Sequence, residues 1–308
     1  MKVLIIKPSS LGDVVHGLRV IALLKRKLPS IEIHWVIKKG LEGIIEASGV
    51  IEKYFFFHRG EGFSKFLKLG LSLRGESYDI VLDMQGLLRS AFLARFANGK
   101  ICLGRPDGRE FSTFFYKTTD SPIKNNPHAI DRMCSFLDIF KVQSDGKLFL
   151  PFKDSMLSKL SKEVLNSCRK KVLLFPESRR QEKCWPYFEN LSNLIVNKSF
   201  GDVIVSGTKK DNKFKDTLDL RGEVKLKSLP ALISRATLVV ANDSAPLHIA
   251  SSMGIPVLGI FGPTDPASYG PYPSGAKRSG IVCSLTGSIS EISEKVVFNK
   301  IQTMLGEI

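Results

Sequence analysis

Asp13 follows Lys7-Pro8-Ser9-Ser10-Leu11-Gly12, a short polar stretch that itself follows the apolar run Val3-Leu4-Ile5-Ile6. A carboxylate at the exit of a buried strand can be a general base, taking a proton from a hydroxyl within hydrogen-bond reach. The same carboxylate at the start of a helix serves as a cap, and the residues alone leave both roles open. Asn242-Asp243-Ser244-Ala245-Pro246 follows another apolar run, Leu238-Val239-Val240. Its residue types start helices, and the unpaired amides of a helix N-terminus suit a phosphate. A third stretch, Pro176 to Pro186, holds Arg179, Arg180 and Lys183. Cations at a strand exit also suit a phosphate, with a solvated loop as the plainer reading. Asp83, Gln85 and Arg89 follow the run Ile80-Val81-Leu82, and Arg105, Arg109 and Lys117 occupy a loop over 105–119.

These groups need elements to hold them. Apolar, β-branched runs predict strands over 2–7, 31–37, 50–57, 78–83, 101–104, 171–175, 202–206, 238–240 and 255–261. Helical spacing predicts helices over 14–28, 41–48, 63–73, 128 to about 140, 155–167, 187–197, from 228, 245–253 and 289–308. Residues 141–152 read as a connection, punctuated by Gly146 and Pro151. Strand–helix alternation throughout argues for doubly wound parallel sheets. Each polar stretch above then falls at a carboxyl edge, where open α/β sheets bind ligands. Gly12 allows a close backbone approach or an unusual φ. Gly207-Thr208-Lys209 forms another strand exit, and His34 and Trp35 read as packing. The 63–73 segment, with Lys65 and Lys68 among its apolar residues, reads as a surface helix, with a membrane surface as the alternative.

A chain of 308 residues accommodates two domains of ordinary size. Its net charge of +15 is spread, +8 over residues 1–150 and +7 over the remainder, counted from the sequence. Such a field favours anionic partners. No DNA- or RNA-binding motif accompanies it, so nucleic acid is not an expected partner. Five cysteines, an odd number with no Cys-x-x-Cys pair, read as reduced thiols without a metal or disulfide framework. No run reaches the ~18 apolar residues of a membrane span, and the expectation is a cytoplasmic protein.

Four segments together resemble the ADP-heptose:lipopolysaccharide heptosyltransferases, glycosyltransferases of family 9, and most of all heptosyltransferase I. They are Lys7-Pro8-Ser9-Ser10-Leu11-Gly12-Asp13-Val14-Val15-His16, Asp83-Met84-Gln85-Gly86-Leu87-Leu88-Arg89-Ser90-Ala91, Lys183-Cys184-Trp185-Pro186, and Asn242-Asp243-Ser244-Ala245-Pro246-Leu247-His248 with Phe261-Gly262-Pro263-Thr264-Asp265-Pro266. The resemblance implies a GT-B fold of two Rossmann-like domains facing a central cleft. Residues 1–152 would form the acceptor-binding domain and 153–308 the nucleotide-sugar-binding domain, with a terminal helix able to pack back on the first.

It implies inverting transfer of heptose from ADP-heptose to the Kdo-lipid A inner core of lipopolysaccharide. Another nucleotide-sugar transferase or an epimerase on the same scaffold is the alternative. By position, Asp13 becomes the general base, and Ser10, Gly12, Gln85, Arg89 and Arg105 the acceptor side. Ser178, Arg179, Lys183, Asp243, Ser244, Ala245 and His248 become the donor side, with Lys183 against the diphosphate. No metal or other cofactor is implied. A lipid-linked acceptor implies transient contact with the inner face of the cytoplasmic membrane. Two departures stand out. Ala245 replaces a usual glycine, and Arg179 stands where a hydroxyl residue is common.

Overall fold

The structure, a computed structural model, describes residues 1–58, 60, 62–119, 128–144, 146, 148–152, 167–208 and 214–306. The chain divides into two compact units, Met1–Lys153 and Asp154–Ile308. Each is built on one six-stranded sheet in which every pairing is parallel.

Unit 1 runs β1 (Lys2–Ile6), α1 (Leu11–Lys27), β2 (Glu32–Lys38), α2 (Glu42–Ser48), β3 (Lys53–Phe57), α3 (Phe63–Arg74), β4 (Ile80–Asp83), α4 (Leu88–Phe96), β5 (Ile101–Gly104), a 3-10 turn at Ser112–Phe115, β6 (Lys117–Thr118) and α5 (Ala129–Cys134), continued as a 3-10 turn over Ser135–Phe140. The strand order is β3-β2-β1-β4-β5-β6. The chain winds outward from β1 through β2 and β3, then returns to β4 and winds the other way. Val3 to Ile6 and Ile80 to Leu82 are buried. Helices cover both faces of a doubly wound sheet, so its central strands are continuous apolar runs.

Unit 2 repeats the scheme with β7 (Lys171–Phe175), α6 (Phe188–Asn197), β8 (Asp202–Val205), β9 (Leu218–Asp219), α7 (Leu229–Ile233), β10 (Leu238–Asn242), α8 (Ala245–Ser252), β11 (Val257–Phe261), α9 (Pro266–Tyr269), β12 (Ser279–Cys283) and α10 (Glu294–Gly306). Its order is β12-β11-β10-β7-β8-β9. The core gathers Val172, Leu174, Trp185, Phe188, Val240 and Ile260, and α10 joins it through Val297, Ile301 and Leu305. The terminal helix therefore packs within unit 2, against α6 and β12.

Several expected elements change on folding. The loop expected over 105–119 contains a 3-10 turn and β6. The helix expected from 128 to about 140 tightens to 3-10 geometry after Cys134, and the one over 289–308 is interrupted at Ile292–Ser293, ahead of α10. β9, β12 and α9 have no counterpart in the sequence reading. The helix expected over 155–167 lies almost wholly outside the described residues, as does Lys209. Gly12 has no positive φ; it is an ordinary residue of the first turn of α1. Gly70 permits one close approach: a Cβ there would stand 2.7 Å from the Phe96 ring, so α3 and α4 pack with that ring laid on bare backbone.

Candidate active site

Each sheet has one topological switch point, between β1 and β4 in unit 1 and between β7 and β10 in unit 2. In open α/β sheets the carboxyl ends of those strands hold the ligand. The segments that leave these four strands carry every candidate residue except Arg105, which leaves β5 beside them.

In unit 1, Ser10 is the N-cap of α1 and Asp13 its third residue. Asp13 Oδ2 accepts from the Ser10 amide at 3.1 Å and the Ser10 hydroxyl at 2.8 Å. The carboxylate thus closes the return half of a capping box. The cap itself is Ser10, so of the two roles the sequence left open for Asp13 the N-cap position belongs to its neighbour. The carboxylate is still 36% exposed at the sheet edge, so capping does not bury it.

Lys7, at the end of β1, is buried, and its Nζ stands 4.0 Å from Asp13 Oδ2. Burial pushes the Lys7 ammonium below the usual lysine pKa, the Asp13 charge opposes that, and the Arg105 charge adds to it. The Lys7 carbonyl accepts from the Trp35 indole at 3.0 Å, so Trp35, read as packing, also fixes the segment that presents Asp13.

The β4 exit is shaped by Asp83. Its Oδ1 accepts from the amides of Gln85 (2.9 Å) and Gly86 (3.1 Å), and its Oδ2 from the Ser90 hydroxyl (2.9 Å). Gly86 takes φ +69° to make the turn. Gln85 Oε1 then accepts from the Ser9 amide at 3.4 Å, linking the two exits. Arg105 is held by Asp107 through Nε at 2.8 Å and Nη2 at 2.5 Å, and Asp107 also stands 3.7 Å from Arg132. Burial acts against the Arg105 charge, but Asp107, with Asp13 and Asp83 at longer range, keeps its pKa above the ordinary value. Ser10, Gly12, Asp13, Gln85 and Arg105 thus belong to one edge. Arg89 stands exposed on the first turn of α4.

Asp83 is fully buried, and burial raises its pKa to about 6 against the pull of its three donors and of Lys7. Its folded pKa lies above the ordinary 3.8, so the native state holds the extra proton between the two values. Stability is then greatest below about pH 4 with respect to this group and falls as pH rises to about 6. Asp83→Asn removes the titration while keeping an amide oxygen for the loop. Denaturant unfolding at pH 4 and pH 8 is expected to show the variant gaining on wild type by on the order of 3 kcal/mol at the higher pH. A difference independent of pH would contradict the assignment.

In unit 2, Asn242 clamps the β7 exit: its Nδ2 donates to the Pro176 carbonyl at 2.9 Å, and its Oδ1 accepts from the Trp185 amide at 3.0 Å. The Cys184 sulfur gathers the turn, accepting from the Ser178 amide at 3.3 Å and lying 3.6 Å from the Arg180 carbonyl. A 3-10 turn over Gln181–Lys183 brings Lys183 round to Asp243.

Asp243 accepts from Lys183 Nζ at 2.5 Å and from the Thr264 hydroxyl at 2.9 Å, and its Oδ1 is 3.7 Å from His248 Nε2. Burial alone would raise the Asp243 pKa; His248 and Lys183 outweigh it and hold the carboxyl down at about 2. Thr264 reaches this carboxylate because Gly262 lets its loop pass: a Cβ at 262 would stand 2.7 Å from the Ile289 Cβ.

Ser244 caps α8, and its Oγ is buried with no hydrogen-bond partner among the described residues. Ala245 has no positive φ, so the glycine usual at this position is not required by backbone conformation. Ser178 Oγ is 3.5 Å from the Asp243 carbonyl. The structure thus brings Ser178, Lys183, Asp243, Ser244, Ala245 and His248 together and leaves Arg179 exposed on the rim. Sequence reasoning missed Lys7, Asn242 and Thr264 as participants. All three lie inside the segments it singled out.

The family model for glycosyltransferase family 9 (heptosyltransferase) matches residues 66–300. The lipopolysaccharide core heptosyltransferase OpsX of Haemophilus influenzae is 26% identical over 87% of this chain and 81% of its own length. The lipopolysaccharide heptosyltransferase 1 of Escherichia coli K12 is 23% identical over 99% of this chain and all of its own. Among solved structures, the E. coli heptosyltransferase WaaC superposes with a TM-score of 0.80 in its ADP form, at 23% identity over 99% of this chain and 100% of that one. In its form with ADP-2-deoxy-2-fluoro heptose the TM-score is 0.79, at 22% identity over 98% and 99%. These likenesses are of fold, two α/β units of GT-B type. The model match, over most of the chain, is one of family: the chain belongs to glycosyltransferase family 9, the heptosyltransferases, and is a glycosyltransferase.

Proposed function

We propose that the enzyme moves L-glycero-D-manno-heptose from ADP-heptose to the Kdo-lipid A inner core of lipopolysaccharide, with inversion at the anomeric carbon. One observation carries the reading: the two switch points have complementary chemistry. That of unit 1 presents a partly exposed carboxylate, Asp13, and that of unit 2 a cation, Lys183, beside a helix N-terminus with an orphaned hydroxyl on Ser244. The relatives named lipopolysaccharide heptosyltransferases, and the related structure solved with a heptose nucleotide analogue, support the donor and the acceptor class.

Asp13 takes the proton of the acceptor hydroxyl as its oxygen attacks the anomeric carbon. The bond from that carbon to the diphosphate breaks, and ADP leaves with the charge. Lys183 and the amides of Ser244 and Ala245 meet that charge, which develops mostly in the transition state. Pro246 has no amide to add. Lys183 has three N–H donors and spends one on Asp243, leaving two for phosphate oxygens. Asp243 holds Lys183 in place and orients the donor; Ser178, Arg179 and His248 line the same side. Ser10, Gly12, Gln85, Arg89 and Arg105 form the acceptor side, where cations suit an anionic sugar acid.

This reading places the positive charge at the leaving group in protein groups and calls for no metal. No helix among the described residues is long and apolar enough to cross a membrane; the proposed location is the cytoplasm, in peripheral contact with the inner face of the cytoplasmic membrane. Calorimetric titration with ADP-heptose, ADP and UDP-N-acetylglucosamine, in buffer containing EDTA, tests the donor. Binding of the two adenine nucleotides at least about tenfold tighter than the uridine one is expected. Preference for the uridine nucleotide sugar would favour the other transferase or epimerase chemistry of this scaffold.

A further inference from the structure

Unit 1 presents large apolar side chains that its core does not use. On α3, Phe63, Leu67 and Leu71 recur every four residues and are 73%, 40% and 56% exposed, while Leu69, Gly70 and Leu73 face inward. A helix packed on a sheet needs one apolar stripe, and α3 carries two. Beside it on α4, Phe92 is 42% exposed, with its ring 5.8 Å from that of Phe66 and 6.4 Å from that of Phe115. The 3-10 turn packed on α4 adds Phe114, 82% exposed and stacked on Phe111, itself 77% exposed. Exposed apolar surface continuous across three elements marks an interaction face.

The charge on the two helices is one-sided, although Glu110, beside Phe111, accepts from the Leu88 amide at 3.2 Å where α4 starts. Lys65, Lys68 and Arg74 lie on α3, Arg89 and Arg95 on α4, and neither helix contains a carboxylate residue. Arg74, Phe92, Arg95, Phe96, Asn98 and Phe115 line a concavity of about 360 Å³. The Arg74 guanidinium stands 5.7 Å from the Phe96 ring centre.

We propose that this face docks on the anionic leaflet of a lipid bilayer, its rings and leucines entering the headgroup boundary and its cations meeting lipid phosphates. Aromatic and leucine side chains among lysines and arginines are the composition that lies in the interfacial plane. Cations so placed are drawn to anionic headgroups within a Debye length. A second copy fits poorly, because a two-fold contact through this face would oppose like charges. The inference deepens the lipid-acceptor reading above: α4 starts at the β4 exit that carries Gln85, so the docking face begins at the proposed acceptor edge.

Cosedimentation of the full chain with phosphatidylcholine vesicles, and with vesicles of equal parts phosphatidylcholine and phosphatidylglycerol, tests it without donor or lipopolysaccharide. Binding to the mixed vesicles alone is expected, with partitioning reduced at least about tenfold by Phe63→Ser, Leu67→Ser and Phe114→Ser together. Hydrogen exchange on the wild type needs no substitution, and mixed vesicles are expected to slow the amides of 63–74 and 111–115. Binding by the triple variant equal to that of wild type would overturn the proposal. So would exchange unchanged by vesicles, or dimerisation through this face without vesicle binding. Transfer to a delipidated acceptor with no vesicle binding would overturn the docking face alone. Vesicle binding without transfer would support the face and count against the reaction.

Discussion

Asp13→Asn keeps the fold and the donor affinity of the wild type and loses transfer by a factor of about 10² to 10⁴, the usual contribution of a general base. The substitution separates the two roles of the residue. The bonds that Asp13 receives from the Ser10 amide and hydroxyl converge on one oxygen. An asparagine oxygen accepts both, so the start of α1 survives with a change of at most about 1 kcal/mol. A neutral amide does not take a proton from the acceptor. The loss therefore falls on kcat, with the KM for ADP-heptose and the melting temperature little changed. Steady-state kinetics with both substrates checks this. Full activity in Asp13→Asn would reduce the residue to a part of the helix start.

Lys183→Ala is expected to weaken ADP about 10- to 100-fold while leaving adenosine affinity unchanged, since hydrogen bonds to charged groups are worth about 1.5–3 kcal/mol. The comparison matters because Lys183 has a second partner. Its removal leaves the Asp243 carboxylate, 8% exposed, with His248 and Thr264 as its side-chain partners among the described residues, and breaking such a pair destabilises. The sign with pH follows from the Asp243 pKa of about 2, below the ordinary 3.8. Its contribution to stability is present above about pH 4 and disappears as pH falls through 2. In the variant that contribution shrinks, and the stability gap to wild type narrows toward pH 2. Calorimetry with ADP and adenosine, beside denaturant unfolding, separates the effects. Unchanged ADP affinity with reduced stability would make Lys183 a partner of Asp243 alone.

The central strands were legible because a parallel sheet buries both faces, so β1, β4, β7 and β10 are uninterrupted apolar runs. β6 and β9 are two residues each and owe their state to a neighbouring strand, which no local pattern reports. At the site, Asp13 was legible as a carboxylate at a helix start, but its place three residues past the N-cap depends on where Ser10 turns. Lys7 reads as the polar end of a strand, and its burial beside Asp13 is a tertiary fact. Arg179 and Lys183 carry similar weight in the sequence. The 3-10 turn over Gln181–Lys183 separates them, bringing one to Asp243 and leaving the other in solvent. Thr264 and Asp243 are joined across 21 residues through a loop that only a glycine at 262 permits. The spacing of Phe63, Leu67 and Leu71 was visible as helical; their outward direction was not.

The most direct test of the central claim is mass analysis of Kdo-lipid A incubated with the wild-type enzyme and ADP-heptose. The account predicts a product heavier by one heptose and an equal amount of ADP, neither of which forms with a uridine nucleotide sugar. Absence of that product from a protein that still binds ADP-heptose, or equal transfer from the uridine donor, would contradict it.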